Sequence, residues 1–131
     1  MTTKVLVTGG TGFLGRRLVR KLLQAGLQVR CLVRATSKTG PLQEFVGPAL
    51  WPGVEIVQAS LMNIEQCQRA MADCQVVYHL AAGLAGSTST LVLESVIPTR
   101  HFIDAALAAS VPRFVMVGSF GVYGAANLKP G

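Results

Sequence analysis

The residues with the clearest chemical potential are glycines near the start of the chain. Residues 8–15 read TGGTGFLG, so glycine recurs with two residues between, at Gly9, Gly12 and Gly15. Gly9 permits a tight turn, Gly12 lets the backbone approach a phosphate, and Gly15 lets a helix pack close to a strand. A helix that begins here presents free N–H groups and a partial positive charge to a pyrophosphate. The segment therefore predicts a dinucleotide-binding loop.

Such a loop needs a strand before it and a helix after it, and the sequence predicts both. Residues 4–8 (KVLVT) form a β-type run. Residues 13–25 follow a helical period, with apolar residues at 14, 18 and 22 and at 15, 19 and 23. The opposite face carries the basic residues Arg16, Arg17, Arg20 and Lys21. Gly26 is placed to end the helix.

The remaining pattern alternates strands and helices. Further strands are expected at 28–33, 54–58, 75–80 and 113–117, and further helices at 64–71 and 91–109. Residues 35–53, with three prolines and three glycines, are expected to form a long loop. Pro98 predicts either a kink in the last helix or its true start. The alternation predicts an α/β, Rossmann-type parallel sheet in order 3-2-1-4-5 with helices on both faces, within one domain over residues 1–131.

Composition and charge narrow the classes of function. Half of the residues are hydrophobic and 14% are charged, which excludes intrinsic disorder. Eight of the twelve basic residues lie in residues 1–38, and no acidic residue precedes Glu44. No segment is typical of a membrane span or of an export signal, so we expect a cytoplasmic protein. The cysteines form no C-x-x-C pair and the histidines lie far apart, so no metal site is expected.

Several motifs together resemble one family. The spacing T-G-x-x-G-x-x-G is similar to that of the extended short-chain dehydrogenases/reductases, the NAD(P)-dependent epimerase/dehydratase family. The likeness continues at residues 29–34 (VRCLVR), 60–61 (SL), 79–82 (HLAA) and 114–124 (FVMVGSFGVYG). Ser60 stands where the family usually has an aspartate that contacts the adenine, and Ser95 stands where many members have asparagine. Residues 97–99 (IPT) resemble the reductase branch of the family somewhat more than the others.

The resemblance implies a nicotinamide-dinucleotide site built from the glycine loop and from the ends of strands two, three and four. The residues assigned to it are Gly9, Thr11, Gly12, Phe13, Leu14, Gly15, Arg34, Lys38, Ser60, Leu61, Leu80, Ala81 and Ala82. An acid at the end of strand two binds the ribose 2′-hydroxyl of NAD, whereas a basic residue accommodates the 2′-phosphate of NADP. Because Arg34 and Lys38 stand there, NADP is favoured over NAD. His79 is interpreted as a core residue.

Catalytic residues are only partly present. The resemblance implies that Ser119 orients the substrate oxygen, together with a tyrosine acid/base and a lysine in a Y-x-x-x-K pair. Tyr78 and Tyr123 are followed four residues later by Ala82 and Asn127, so that pair is absent from this sequence. We therefore expect the chain to be an N-terminal piece of a longer enzyme, close to inactive alone, with a small-molecule substrate only in the full-length form.

Two alternatives stay open. A non-catalytic dinucleotide sensor requires the same glycine loop and no Tyr–Lys pair. A nucleic-acid-binding protein would explain the net charge of +6, but it requires a basic face interleaved with aromatic residues, which the first helix lacks after Phe13. No nucleic acid and no membrane are expected as partners. An exposed edge at strand five predicts a homo-oligomer.

Overall fold

The sheet has five parallel strands in the order β3-β2-β1-β4-β5. The computed structural model describes residues 2–83 and 85–119. The strands are β1 (Lys4–Thr8), β2 (Gln28–Val33), β3 (Val54–Gln58), β4 (Cys74–His79) and β5 (Arg113–Met116). The predicted strand order is thus confirmed, and the bounds of β1, β2 and β3 agree with those predicted from the runs of β-branched residues.

Helices cover both faces of the sheet. They are α1 (Phe13–Gln24), α2 (Gly40–Val46), α3 (Ile64–Met71), α4 (Thr88–Leu91) and α5 (Ile97–Ala108), with a 3₁₀ turn at Trp51–Gly53 and a π turn at Val92–Val96. Side chains alternate along each strand. Val5 and Val7 accordingly enter the core beneath α1 and α2, whereas Leu6 enters the core beneath α3 and α5.

Helix α1 buries one face against the sheet and ends as predicted. Its buried residues are Gly15, Val19, Leu22 and Leu23. Leu14, assigned to the apolar face, is instead 52% exposed, because the buried stripe runs through Gly15 and Val19. At the C-terminus Gly26 adopts φ +81° and donates its N–H to Leu23 O at 2.9 Å. A left-handed glycine at this position ends a helix by satisfying its last carbonyls.

The prediction of a long loop over residues 35–53 is wrong. Helix α2 lies in its middle, with Leu42 and Val46 buried one turn apart. Pro41 occupies the first turn, where no backbone N–H is needed, and Gly47 ends the helix with φ +86°. The prolines and glycines therefore mark the boundaries of a short helix, which their density had concealed.

The helix predicted over residues 91–109 is longer and is interrupted. Helical structure begins at Thr88, three residues before the predicted start, and passes through the π turn before α5 begins. Pro98 is buried in the first turn of α5. Proline has no N–H for the preceding turn, and the wider π turn stands directly before it. Within the described residues, no helix is both long enough and apolar enough to cross a membrane.

Candidate cofactor-binding site

The loops that follow four of the strands meet at one edge of the sheet, called here the carboxyl edge. Parallel pairing sets Thr8 beside both Leu32 and His79, and Val33 beside Gln58. The predicted residues after β1, β2, β3 and β4 are therefore brought to the same edge. The strand order reverses between β1 and β4, and open α/β sheets bind ligands in the crevice at such a point.

The glycine loop is shaped by close backbone contacts. Gly12 donates its N–H to Gly9 O at 3.1 Å, which closes the turn. A Cβ atom on Gly15 would overlap Gly9 O and would lie 2.8 Å from the Cα atom of Gly10. A Cβ on Gly12 would meet only Gly9 O, at 3.3 Å. Gly15 thus lets α1 pack on the loop, and Gly12 leaves the outer side of the loop open.

The start of α1 presents unpaired donors at this loop. The first N–H groups of a helix have no acceptor within it, and Gly12, which caps α1, provides no side chain to bind them. The first turn has no acidic residue. Phe13 and Leu14 are 70% and 52% exposed, and Thr11 is half-buried between them and β1. Donors and helix dipole together suit a pyrophosphate.

The loop after β4 lies directly against the glycine loop. Gly9 has φ +69°, and a Cβ there would lie 2.9 Å from Ala81 N and from Leu80 C. The Thr8 hydroxyl accepts the N–H groups of Leu80 and Ala81 at 3.2 and 3.1 Å. Ala82 is exposed. Small side chains and tight backbone contacts leave room for a planar group in the crevice.

His79 is a buried core residue, as interpreted from the sequence. It is 2% exposed, and its ring packs against Phe102 with 4.9 Å between centroids. Burial lowers the pKa of His79 to about 4, because the apolar surroundings disfavour the charged imidazolium. The ring is therefore neutral at physiological pH.

The end of β2 carries exposed basic groups. Arg34 follows Val33 directly, and a tight turn fixes it: Arg34 N–H donates to Ser37 Oγ at 3.2 Å, and Ser37 N–H donates to Arg34 O at 2.9 Å. Lys38 follows this turn and is exposed. Among residues 2–83 and 85–119, neither basic group has an ion-pair partner. Both are therefore available to an anionic ligand.

Ser60 and Leu61 follow β3. The Ser60 hydroxyl accepts Met62 N–H at 3.2 Å, and Ser60 N–H donates to Gln66 Oε1 at 2.9 Å. Ser60 is exposed, so its O–H is open to the surrounding solvent. Leu61 packs against the core beneath α3. Leu61 therefore anchors the loop to the core, and Ser60 is the residue of the two that presents a polar group.

Ser119 is exposed three residues after the end of β5. The pairing of His79 with Met116 places its segment beside the loop that follows β4. The residues 122–124 (VYG), which carried part of the resemblance, lie outside the described residues, as does Tyr123.

Three positions that shape the site were not among the predicted site residues. Gly10 is buried, and a Cβ there would lie 3.2 Å from Cys31 Sγ. Thr8 begins the predicted glycine motif, but its contact with the loop after β4 was not predicted. The Ser95 hydroxyl accepts Gly83 N–H at 2.7 Å and lies 3.2 Å from Gly83 O. A hydroxyl residue at a strand end that faces the predicted loop is the signal that points to Thr8.

The thiols near this edge serve in packing and in one hydrogen bond, from Cys67 Sγ to Ser60 O at 3.4 Å. Burial raises the pKa of Cys31 to about 12 and that of Cys67 to about 11. The three cysteines are free and buried. No group of three or more His, Cys, Asp or Glu side chains in residues 2–83 and 85–119 could hold a metal ion.

A family of proteins described as NAD(P)H-binding matches residues 9–130 of this sequence. The chain belongs to this family. The open glycine loop and the unpaired helix N-terminus fit a nicotinamide dinucleotide, which is its cofactor class. The resemblance to the extended short-chain dehydrogenases/reductases is confirmed by relatives with that architecture.

Individual relatives show how far the likeness extends. Cinnamoyl-CoA reductase 1 from Petunia hybrida is 34% identical over 129 residues, covering 96% of this chain and 38% of that protein. Vestitone reductase from alfalfa (Medicago sativa) has a TM-score of 0.69 at 26% identity, covering 86% of this chain and 35% of its own. UDP-glucose 4-epimerase from Thermotoga maritima has a TM-score of 0.80 at 23% identity, covering 98% and 41%. The family member described here spans about a third of the length of the curated relatives that it matches.

Proposed function

We propose that this NAD(P)-binding chain prefers NADP(H) to NAD(H). The observation that carries the proposal is Arg34, exposed at the carboxyl end of β2 and held by its turn with Ser37. Lys38 adds a second cation, and no acidic residue occurs in residues 1–43. A 2′-phosphate would meet charge-assisted donors and no repelling carboxylate.

Titration of the chain with NADPH and NADH tests this proposal. Arg34→Ala is expected to weaken NADPH binding about tenfold or more, because it removes a charged hydrogen-bond donor. NADH binding should be unchanged. Arg113→Ala is the matched control, since Arg113 is also exposed but begins β5 at the opposite edge. Equal affinity of the unaltered chain for the two cofactors would contradict the preference.

We further propose that the longer protein is a reductase. Curated relatives at 30% identity or more include cinnamoyl-CoA reductase and a ketoreductase from Stigmatella aurantiaca, whereas the epimerase likeness, at 23% identity, concerns the fold alone. When bound, the nicotinamide supplies or accepts hydride. Ser119 is proposed to orient the substrate oxygen, while a tyrosine outside this sequence would supply the proton and a lysine four residues after it would lower the pKa of that tyrosine. A non-catalytic sensor is not favoured.

The absence of a Y-x-x-x-K pair makes a direct prediction for this chain. Loss of a positioned acid/base typically lowers a rate about 10²–10⁴-fold. The 131-residue chain should bind NADPH yet show no oxidation of it with carbonyl substrates. Turnover at a rate typical of the family would contradict the assignment of acid/base chemistry to residues outside this sequence.

We also propose that the chain self-associates in the cytoplasm. β5 ends the sheet among the described strands, and Met116 and Val117 are more than half exposed there. Unpaired strand edges with apolar side chains favour association. Light scattering at micromolar concentration should show a dimer or larger species.

The cytoplasmic location is supported by the free, buried cysteines, which suit a reducing compartment.

A further inference from the structure

A chain of hydrogen bonds joins three elements behind the cofactor loop. Thr8 Oγ1, at the end of β1, lies 2.7 Å from His79 Nδ1, at the end of β4. His79 Nε2 lies 2.9 Å from Thr99 Oγ1, in the first turn of α5. Thr8 and His79 are 0% and 2% exposed. This chain is called the Thr8–His79–Thr99 relay below.

The direction of each hydrogen bond in the relay follows from the number of donors and acceptors that each group has. A threonine hydroxyl has one O–H donor and two acceptor lone pairs. Thr8 Oγ1 already accepts Leu80 N–H at 3.2 Å and Ala81 N–H at 3.1 Å. Both lone pairs are thereby engaged, so Thr8 must donate its O–H to His79 Nδ1. The imidazole nitrogen that faces Thr8 therefore carries no proton.

The tautomer of His79 follows in turn. A neutral imidazole with a bare Nδ1 carries its proton on Nε2, and this N–H donates to Thr99 Oγ1. Phe102 and Phe114 pack on the ring, with centroids 4.9 and 6.1 Å away. Thr8 is 0% exposed, so solvent provides no alternative acceptor for its proton.

The relay acts on the cofactor loop through backbone contacts. The two N–H groups that Thr8 accepts belong to Leu80 and Ala81, the residues on which Gly9 rests. A Cβ on Gly9 would approach Ala81 N and Leu80 C to 2.9 Å. A displacement of this segment therefore has to displace the turn that opens the phosphate-binding loop.

We propose that His79 is a positioning residue for dinucleotide binding, which acts by accepting the Thr8 proton and so reserves both Thr8 lone pairs for the loop after β4. The proposal rests on the dinucleotide-binding function of the chain. If His79 only filled space against Phe102 and Phe114, a phenylalanine ring could replace it without any change in dinucleotide binding.

The first test is the tautomer of His79 in the ligand-free chain. Two-bond ¹H–¹⁵N correlation spectra distinguish a ring protonated at Nε2 from one protonated at Nδ1, and His101, the other histidine, gives the only second set of signals. A neutral ring with its proton on Nε2 is expected. A proton on Nδ1, or a charged ring at neutral pH, would overturn the proposal.

The second test is NADPH affinity. His79→Phe keeps the ring and removes both hydrogen bonds, and it should weaken NADPH binding about tenfold, because Leu80 and Ala81 lose a correctly directed acceptor. Thr8→Val should weaken binding at least as much, and Thr8→Ser, which keeps the hydroxyl, should restore it. Thr99→Val gives a milder variant in case His79→Phe does not fold, and it should weaken binding by a smaller factor.

Met71→Ala provides the matched control for lost packing. Met71 is 2% exposed in the same core, but it ends α3 and touches neither loop. It should lower the midpoint of thermal unfolding and leave NADPH affinity unchanged. Unchanged affinity in His79→Phe, or a loss equal to that in Met71→Ala, would overturn the relay. If the unaltered chain binds no dinucleotide, the binding function itself fails, and the tautomer measurement still decides the relay separately.

Discussion

The two edges of the sheet carry their charges in opposite ways. At the edge where the strands begin, called here the amino edge, Arg30 pairs with Glu55 at 2.9 Å and donates to the carbonyls of Ala70 and Ala72 at 2.6 and 2.9 Å. Lys4 lies 3.5 Å from the same glutamate. The Arg30 side chain beside Glu55 holds the pKa of that carboxyl below its usual value. Arg30, Lys4 and Glu55 therefore already have partners within the protein.

At the carboxyl edge, Arg34 and Lys38 are exposed and have no acidic partner among the described residues. The helix N-terminus beside them also has no side-chain cap. Unpaired donors and cations gathered at one edge favour an anionic ligand. Arg30 thus caps the end of a helix within the protein, whereas Arg34 and Lys38 stay exposed and available to an anionic ligand.

The strongest way to break the carboxyl edge is a methyl group at Gly15. Gly15→Ala places a Cβ against the backbone of Gly9 and Gly10, which cannot rotate away. We expect a loss of about 3 kcal/mol in the free energy of unfolding and loss of measurable NADPH binding. Gly40→Ala is the control, because a Cβ there meets nothing within 4 Å. Normal NADPH binding by Gly15→Ala would show that the loop geometry is not required.

Acid should lower the free energy of unfolding through His79, the central residue of the Thr8–His79–Thr99 relay. The pKa of His79 is about 4 when folded, below its ordinary value of 6.5, so the unfolded chain binds more protons between these values. The free energy of unfolding should therefore fall as pH decreases from 6.5 to 4, by about 3 kcal/mol in total. Urea titrations at several pH values measure it.

The control for the acid effect is His79→Phe, which should lose this slope. The carboxyl of Glu55 also destabilises the fold when protonated, but its pKa is below the ordinary 4.5, so its contribution is lost only at more acidic pH. A slope between pH 6.5 and 5 that persists in His79→Phe would assign the effect to another group.

Two arginines four residues apart, Arg30 and Arg34, should respond in opposite ways. Arg30→Met removes the partner of Glu55 and of two carbonyls, and should lower the free energy of unfolding by about 2 kcal/mol without changing NADPH affinity. Arg34→Met should weaken NADPH binding and leave unfolding unchanged. Unfolding titrations and cofactor titrations of both variants form a matched pair. If both variants lost cofactor affinity equally, the two edges would not be functionally distinct.

The smallest effect is expected at Ser60. Ser60→Asp keeps an acceptor for Met62 N–H and adds a free carboxylate oxygen where the resemblance places the adenine contact. Binding of NADPH and NADH should each tighten about threefold. Ser60→Ala should not tighten binding of either cofactor. A change confined to NADPH would place Ser60 near the 2′-phosphate rather than the adenine.

Local sequence patterns predicted most of the sheet. The strands β1, β2 and β3 and the helix α3 were predicted with the bounds found in the structure, because apolar runs and helical periods depend on neighbouring residues. Helix α2 was missed because Pro41 and Gly47 are typical both of loops and of helix boundaries. The exposure of Leu14 was missed because the glycine loop, and not periodicity alone, sets how α1 rotates on the sheet.

The glycine loop and the exposed position of Arg34 after β2 could be predicted from the sequence because both depend on neighbouring residues, and the role of Arg34 toward a cofactor stays a prediction. The Thr8–His79 contact joins residues 71 positions apart, and no short pattern reveals it. The same holds for the bond between Ser95 and Gly83. Long-range side-chain contacts become visible only when the register of β1 against β4 is known.

The π turn at Val92–Val96 makes this helix sensitive to the number of residues in it. A π turn closes its hydrogen bond over one residue more than an α turn, so residues upstream and downstream of it lie on helical faces that are out of phase. Thr99 bonds His79 at the end of β4, and Ser95 bonds Gly83 in the loop that follows it, whereas α4 follows another phase. A one-residue deletion in the π turn would rotate Thr88–Leu91 around the helix axis relative to α5, whereas a substitution would leave the phase of the two helices unchanged. Insertions and deletions in this helix are thus more consequential than substitutions.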